Sequence, residues 1–162
     1  MKLFIKNKLM SLRGNSFVLD EEQKEVYKIK GKFFTITNKK RIYDMEGHLL
    51  FVVRNKIWTF MKKVCFISNA HGQKIAKVVN GDFDFKNRYK VMNYEDEIEL
   101  DGLWGKMDIK KNGEVVGRIS RDFTIVRDAF TLDTEDVENA DFYVALTIAV
   151  DNINDSRTKR RR

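Results

Sequence analysis

The last apolar run of the chain is Phe142-Tyr143-Val144-Ala145-Leu146-Thr147-Ile148-Ala149-Val150, and neither glycine nor proline interrupts it. Alanine and leucine favour a helix, and at about 3.6 residues per turn the large apolar side chains would point in nearly every direction. A helix that is apolar on all sides must be surrounded by other groups. The run is far shorter than the ~20 residues that span a bilayer. We therefore expect it to lie inside a structure that the preceding residues build.

The residues before this helix predict short antiparallel strands joined by tight turns. Polar and apolar residues alternate at 26–30, where Tyr27 and Ile29 share one face, and again at 106–110. A period of two is typical of strands. The dipeptide Asn112-Gly113 is a strong hairpin signal, because both residues tolerate positive φ. Helical periodicity is absent before about residue 134, so we expect roughly ten to twelve strands followed by one helix.

An internal repeat supports this interpretation. Polar turns at residues 20–23, 44–47 and 69–72 recur every 24 or 25 residues, and a fourth lies at 111–113 after an insert at about 92–107. An aromatic follows each turn, and a second large apolar residue comes two positions later. These two columns are Phe34, Trp58, Phe83 and Phe123, then Ile36, Phe60, Phe85 and Ile125. We expect each repeat to be a two-strand unit whose column residues share one face, since side chains alternate with period two.

The order of many hairpins and then one apolar helix favours a closed antiparallel β-barrel of about twelve strands around the helix. Open sheet edges invite aggregation, and a barrel wide enough to hold a helix needs more than eight strands. The alternative is a two-layer sandwich with the helix on one face, but one side of the helix would then be wet. We expect residues 1–155 to form this single domain and residues 156–162 to be a basic, disordered tail.

Three segments resemble the bacterial members of the LURP-one-related, or YxjI-like, family. They are Lys2-Leu3-Phe4-Ile5-Lys6, Lys30-Gly31-Lys32-Phe33-Phe34 and Arg41-Ile42-Tyr43-Asp44-Met45-Glu46-Gly47. That family is similar in fold to the tubby C-terminal domain and to phospholipid scramblases, so the resemblance implies a twelve-stranded barrel around a hydrophobic C-terminal helix. Tubby domains bind phosphoinositides through basic residues, and scramblases act at membranes. The resemblance therefore implies a membrane-related direction, while no lipid-binding residue is matched position by position.

Residues with catalytic or metal-binding chemistry are sparse. His48 and His71 both lie in or beside predicted turns, and Cys65 lies in a predicted strand, where a lone cysteine is usually a packing residue. The acidic residues at 95–101 lack the spacing of a calcium loop and favour an exposed hairpin. The sequence holds no Walker or dinucleotide motif and no Cys/His metal spacing. We expect no catalytic residue, no metal and no cofactor, which favours a non-enzymatic role.

The compartment is predicted from the cysteine content and from the first residues. A single Cys65 excludes an intramolecular disulfide, which fits a reducing environment. The opening residues lack the continuous apolar segment of a signal peptide, so the sequence does not predict one. We expect a cytoplasmic protein, with a peripheral position at a membrane surface as an additional expectation.

The net charge of +7 is unevenly distributed. Residues 1–80 hold 17 Lys/Arg and 6 Asp/Glu, whereas residues 81–156 hold 9 and 18. A second, basic turn follows each aromatic strand, and equal two-strand units return the chain to the same end of the barrel. This topology predicts a basic rim with little acidic compensation and a more acidic opposite rim. The predicted ligand-binding residues are Lys39, Lys40, Arg41, Lys62, Lys63, Lys86 and Arg88.

These features favour a non-catalytic binding module that docks anionic phospholipid, or another phosphorylated ligand, on the basic rim. The alternative is a protein–protein interaction scaffold with no lipid role. Nucleic-acid binding through the basic half and residues 157–162 is a weaker alternative, because the tail has no interleaved aromatics and no recognised motif.

Overall fold

Twelve antiparallel strands close into a barrel in the computed structural model, which describes residues 1–6, 15–31, 37–57, 63–80, 88–92, 94–103, 105–122 and 129–158. The first six strands are β1 (Lys2–Lys6), β2 (Asn15–Leu19), β3 (Glu25–Gly31), β4 (Lys40–Tyr43), β5 (Leu49–Asn55) and β6 (Val64–Asn69). The other six are β7 (Lys74–Asn80), β8 (Tyr89–Met92), β9 (Ile98–Leu103), β10 (Lys106–Lys111), β11 (Glu114–Asp122) and β12 (Ala129–Thr134). Each strand pairs with its neighbours in the sequence, and β12 pairs with β1. The predicted barrel is confirmed, and the sandwich alternative is wrong.

The up-and-down order sends successive connections to alternating ends of the barrel. Every even-numbered strand begins at one end, where the chain passes from β3 to β4, from β5 to β6 and from β7 to β8. We call this the basic end. The chain returns from β2 to β3, from β4 to β5 and from β6 to β7 at the other end, which we call the acidic end after Asp20, Asp44, Glu46 and their neighbours.

Two of the turns at the acidic end share one local design. Asp20 Oδ1 accepts hydrogen bonds of 2.9 Å from the backbone N–H groups of Glu22 and Lys24. Asn69 Oδ1 accepts the equivalent bonds from His71 and Gln73, at 3.1 and 3.0 Å. An Asp or Asn that bonds the backbone two residues on fixes a tight turn without help from elsewhere.

The predicted insert proves to be another two-strand unit. It consists of β9 and β10, which pair with each other from Lys106–Leu103 to Lys111–Ile98. The hairpin after it turns at Asn112 and Gly113, whose φ angles of 52° and 87° match the predicted turn. All eight column residues of the repeat lie outside the described part of the chain, so their common orientation stays a prediction.

The helix α1 (Ala140–Thr158) follows a single 3₁₀ turn (Val137–Asn139) and lies inside the barrel. All nine residues of the run that predicts it are buried, and Leu146 is 0% exposed. Its closest strands are β5, β6, β7 and β12. No helix in the described part of the chain is long and apolar enough to cross a bilayer. The helix extends to Thr158, three residues beyond the predicted domain boundary at 155.

The core is formed where inward side chains of the strands meet the helix. Phe142 stacks on Tyr94 with ring centroids 4.1 Å apart and meets the edge of Phe51 at 6.2 Å. Buried aliphatic residues occur on every strand; they include Leu3, Val18, Ile29, Ile42, Val53, Ile67, Val78, Val91, Leu100, Ile109, Ile119 and Leu132. Burial of each such side chain stabilises the fold by ~1.5–3 kcal/mol, and these side chains form one core cluster with the buried residues of the helix.

Candidate functional site

The structure describes five of the seven predicted ligand-binding residues, and it places all five at the basic end. Lys40 is the first residue of β4, with Lys39 before it and Arg41 after it. Lys63 directly precedes β6, and Arg88 directly precedes β8. These five residues therefore lie at one common end, as the two-strand repeat predicts. Lys62 and Lys86 lie outside the described residues, so the full cluster stays a prediction.

Lys40 does not present its charge to solvent. Residues of β4 alternate between the inside and the outside of the wall, so Lys40 and Ile42 point inward. The Lys40 side chain is buried, and its Nζ lies 3.4 Å from Oδ2 of Asp151 on α1. The expectation that Lys40 serves a surface ligand is therefore corrected: its ammonium group pairs with the central helix.

Arg88 has an acidic partner, whereas the sequence predicts little acidic compensation around the basic rim. Its Nε lies 3.4 Å from Oδ1 of Asp101, on the outer face of the neighbouring strand β9. Asp101 also accepts a 3.2 Å hydrogen bond from Lys110 Nζ. The adjacent pair Lys90–Glu99, at 3.4 Å, continues this mixed-charge surface. The wall at β8–β10 is therefore internally balanced, and Arg88 belongs to it.

A polar cluster inside the basic end fastens the second half of α1 to the wall. Asn152 accepts a 2.9 Å hydrogen bond from Asn38 Nδ2 and donates one of 3.0 Å to the Asn38 carbonyl. Asn55 Nδ2 donates to the Asn152 carbonyl at 3.1 Å. The neighbouring Cys65 is fully buried, and burial raises the pKa of its thiol to about 12. Cys65 thus packs among the buried residues of the core, as the sequence predicts.

The cationic side chains described on the outer wall and rim of β3–β6 at this end form what we call the basic patch. It comprises the exposed Lys30, Arg54 and Lys56 and the half-buried Lys39, Arg41 and Lys63. Lys30 and Arg41 are direct cross-strand partners. Arg41 faces Val52 on β5, and Arg54 follows Val52 by two residues, on the same outer face.

Backbone hydrogen bonds join the rim part of the patch to its wall part. The Asn55 N–H donates to the Thr37 carbonyl at 2.7 Å, which brings the segment before β4 beside the end of β5. The Lys56 N–H donates to the Val64 carbonyl at 2.9 Å, next to Lys63. Lys39, Lys56 and Lys63 are therefore held on adjacent segments of the rim.

Among the residues that the structure describes, acidic side chains are scarce around the patch. Between Glu25 and Glu95, the sequence contains only Asp44, Glu46, Asp82 and Asp84 as acids. Asp44 and Glu46 lie at the acidic end, and Asp82 and Asp84 lie outside the described residues. Within the described ranges, no ion pair involves Lys30, Arg41, Arg54 or Lys56. The ion pairs in those ranges join other residues: Lys40–Asp151, Arg88–Asp101, Lys90–Glu99, Lys110–Asp101, Lys111 with Asp96 and Asp136, Arg118–Asp108, and His48 with Asp44 and Glu46.

Aromatic rings lie among the cations of this wall. Lys30 Nζ is 4.7 Å from the centroid of the Tyr43 ring, and Lys28 Nζ is 5.6 Å from that of Phe17. Such contacts contribute ~0.5–1 kcal/mol at exposed sites, and Lys30 remains exposed beside its ring. Lys30, Arg54 and Lys56 are not among the predicted residues, because only the strand register shows that they adjoin Arg41 and Lys63.

The acidic end has a different chemistry, centred on the turn at 44–48. His48 Nδ1 lies 2.9 Å from Asp44 Oδ2 and 3.5 Å from Glu46 Oε2. The hydrogen bond and charge of Asp44 raise the pKa of His48 above its usual 6.5. One donor atom from each of the three side chains lies within 4.8 Å of the others, so they could meet a cation together. Here they bond one another, and Asp44 also accepts the His48 N–H at 2.8 Å to close the turn.

Comparison with known proteins finds similarity over nearly the whole chain. A family model described as LURP-one-related matches residues 1–151. The chain is also similar to a protein called "Uncharacterized protein YxjI" from Bacillus subtilis (strain 168). The two are 21% identical over 154 residues, which cover 94% of this chain and 93% of that protein. No solved structure matches.

Proposed function

The chain belongs to the LURP-one-related family, and we propose that it is a non-catalytic module that docks anionic phospholipid headgroups on its basic patch. The observation that carries this proposal is the cross-strand pair of Lys30 and Arg41. Like charges directly opposite each other on a sheet destabilise it, whereas opposite charges there stabilise it by ~0.2–1 kcal/mol. A pair that disfavours folding is readily explained by an external anion that binds between the two cations.

The cross-strand neighbours of that pair supply no carboxylate, which supports an external anion. The residue opposite Lys30 on β2 is Asn15, and the residue opposite Arg41 on β5 is Val52. Neither is acidic. Arg41 can hold a phosphate oxygen pair with its planar guanidinium group, while the ammonium group of Lys30 contributes a compact charge.

The number of cations fits weak, reversible membrane binding. Each Lys or Arg near an anionic leaflet contributes ~1 kcal/mol, so a patch of this size supports binding that salt weakens. At ~0.15 M salt the Debye length is ~8 Å, and only cations held close to the headgroups still contribute fully. This role fits a cytoplasmic protein that binds reversibly to a membrane surface, and the single Cys65 is consistent with a reducing compartment.

The test is co-sedimentation with vesicles of phosphatidylcholine, with and without phosphatidylserine. The wild-type chain should sediment with the anionic vesicles at low salt and be released as salt rises. The triple variant Lys30→Ser, Arg41→Ser, Arg54→Ser should lose about two orders of magnitude in apparent affinity, since three cations contribute ~3 kcal/mol.

A matched control separates the patch from the overall charge. Lys2→Ser, Lys24→Ser, Lys74→Ser removes the same net charge from exposed residues at the acidic end. It should bind the anionic vesicles nearly as well as the wild type. Equal loss in both triple variants would mean that net charge, not the patch, determines binding.

The other functions remain distinguishable outcomes of the same experiment. A wild-type chain that ignores anionic vesicles at low salt would refute lipid docking, and the protein–protein scaffold would take its place. Binding to a single-stranded oligonucleotide, with none to vesicles, would instead favour the nucleic-acid alternative.

A further inference from the structure

We propose that the barrel meets the bilayer end-on and that Ile57 and Leu103 at the basic end insert their side chains below the headgroups. This inference rests on the proposed function and adds an apolar component and an orientation to it. The side chains concerned are among the most exposed large apolar residues in the described part of the chain, at 60% for Ile57 and 67% for Leu103.

Ile57 lies on the rim beside the basic patch. It follows the exposed Lys56, whose N–H donates to the Val64 carbonyl at 2.9 Å and so anchors the segment to the start of β6. The backbone that leads to Ile57 is thus attached to β5 and β6, while the Ile57 side chain is exposed to solvent. A lysine beside an apolar residue suits a membrane surface, because its ammonium group can reach headgroup phosphates while its stem lies along apolar surface.

Leu103 repeats this arrangement on another part of the rim. It is the last residue of β9, and its direct cross-strand partner is Lys106, the first residue of β10. Both side chains are exposed. Each of the two apolar residues is therefore accompanied by one exposed lysine at the same end of the barrel.

The distance between these two sites selects a flat, extended partner. Ile57 follows β5 and Leu103 ends β9, so the two are four strands apart around the closed barrel. At about 4.8 Å per strand the separation along the wall is ~19 Å, too far for one small phosphorylated molecule to contact both. A bilayer surface across the end of the barrel can contact both at once.

Charge determines which end of the barrel faces an anionic bilayer. Exposed apolar residues also occur at the acidic end, where Met45 is 49% and Val137 is 57% exposed. Met45 lies between Asp44 and Glu46, and Val137 lies between Asp136 and Glu138. Anionic headgroups repel those neighbours, whereas they attract the lysines beside Ile57 and Leu103.

The experiment compares two double variants of the full chain on vesicles of phosphatidylcholine and phosphatidylserine. Ile57→Ser, Leu103→Ser removes the proposed inserting side chains without changing the charge. Met45→Ser, Val137→Ser is the matched control at the acidic end. Circular dichroism confirms that each variant is folded, as expected for exposed positions. Insertion is read from the fluorescence of Trp58 and Trp104, which directly follow Ile57 and Leu103 in the sequence, with quenching by bromine-labelled acyl chains.

The expected result is quenching in the wild type and in the control, together with residual vesicle binding at ~1 M salt, where the Debye length is only ~3 Å. The Ile57→Ser, Leu103→Ser variant should bind about tenfold or more weakly and lose the residual binding at high salt. If this variant binds like the wild type and neither tryptophan is quenched, insertion is refuted while lipid docking stands. If the wild type fails to bind anionic vesicles at all, the proposed function fails first.

Discussion

Nζ of Lys40 on β4 lies 3.4 Å from Oδ2 of Asp151 on α1, and both side chains are buried between the barrel wall and the central helix. Removing one partner of a buried ion pair leaves the other charge without compensation, which typically costs ~3–5 kcal/mol. We expect Asp151→Ala to lower the free energy of unfolding by that amount. Urea denaturation of the wild type and the variant measures it.

The double variant Lys40→Met, Asp151→Leu tests whether this cost comes from the stranded charge. It removes both charges and keeps the apolar volume, and such replacements are often neutral or stabilising. We expect it to unfold at a higher urea concentration than either single variant. If the loss of unfolding free energy in the double variant equals the sum of the losses in the two single variants, Lys40 and Asp151 do not interact energetically.

Much of this fold is predictable from the chain, because period-two patterns and turn residues act locally. The turns at Asp20, Asp44 and Asn69 are confirmed, since an Asp or Asn that bonds the backbone two to four residues on makes its own turn. The all-round apolarity of the run ending at Val150 predicts a surrounded helix, which is confirmed as well. Both signals are read within a few residues of sequence.

The candidate site is less predictable, because it depends on register between strands far apart in the sequence. A run such as Lys39-Lys40-Arg41 suggests three rim cations, yet the start of β4 at Lys40 turns the middle one inward. A shift of one residue would reverse all three. The partnership of Lys30 with Arg41 follows from the same register, and no local pattern contains it.

Leu146 provides the direct test of the central helix. It is fully buried on α1, so Leu146→Asp would place an unpaired charge in the core and should prevent folding. The milder Leu146→Ala should cost ~2–5 kcal/mol by leaving a cavity. Soluble expression and thermal unfolding followed by circular dichroism measure both effects.

Val137→Asp is the control for a new carboxylate near the same helix, because Val137 is 57% exposed just before α1 begins. An exposed substitution of this kind should change stability by no more than ~0.5 kcal/mol. A Leu146→Asp protein that is soluble and unfolds cooperatively would contradict the enclosed position of the helix.

His48 should show a pKa above its usual 6.5, because its Nδ1 bonds Asp44 at 2.9 Å. The folded chain then holds the proton more tightly than the unfolded chain. The associated stability is fully present below pH 6.5 and is lost as the pH rises through the raised pKa of the folded state. Titration of the imidazole proton signals by NMR measures the shift.

Asp44→Asn keeps the acceptor oxygen of the turn but removes the charge, and it should bring the pKa of His48 back toward 6.5. An unchanged pKa in Asp44→Asn would mean that Asp44 is not the cause.

Arg41→Glu separates the stability of the fold from its proposed function. Glu at this position would face Lys30 directly across β3 and β4 and replace a repulsive pair by an attractive one. An opposite-charge cross-strand pair stabilises a sheet by ~0.2–1 kcal/mol, so the variant should unfold at a slightly higher temperature than the wild type. The same substitution reverses a charge in the centre of the basic patch, and binding to anionic vesicles should fall by more than tenfold at ~1 kcal/mol per charge.

Val52→Glu places a carboxylate on the other side of Arg41 and keeps the cation. It should reduce binding less than Arg41→Glu does. A more stable Arg41→Glu protein with lost binding would mean that the like-charge pair serves an external anion, whereas a less stable protein with unchanged binding would assign Arg41 to the fold.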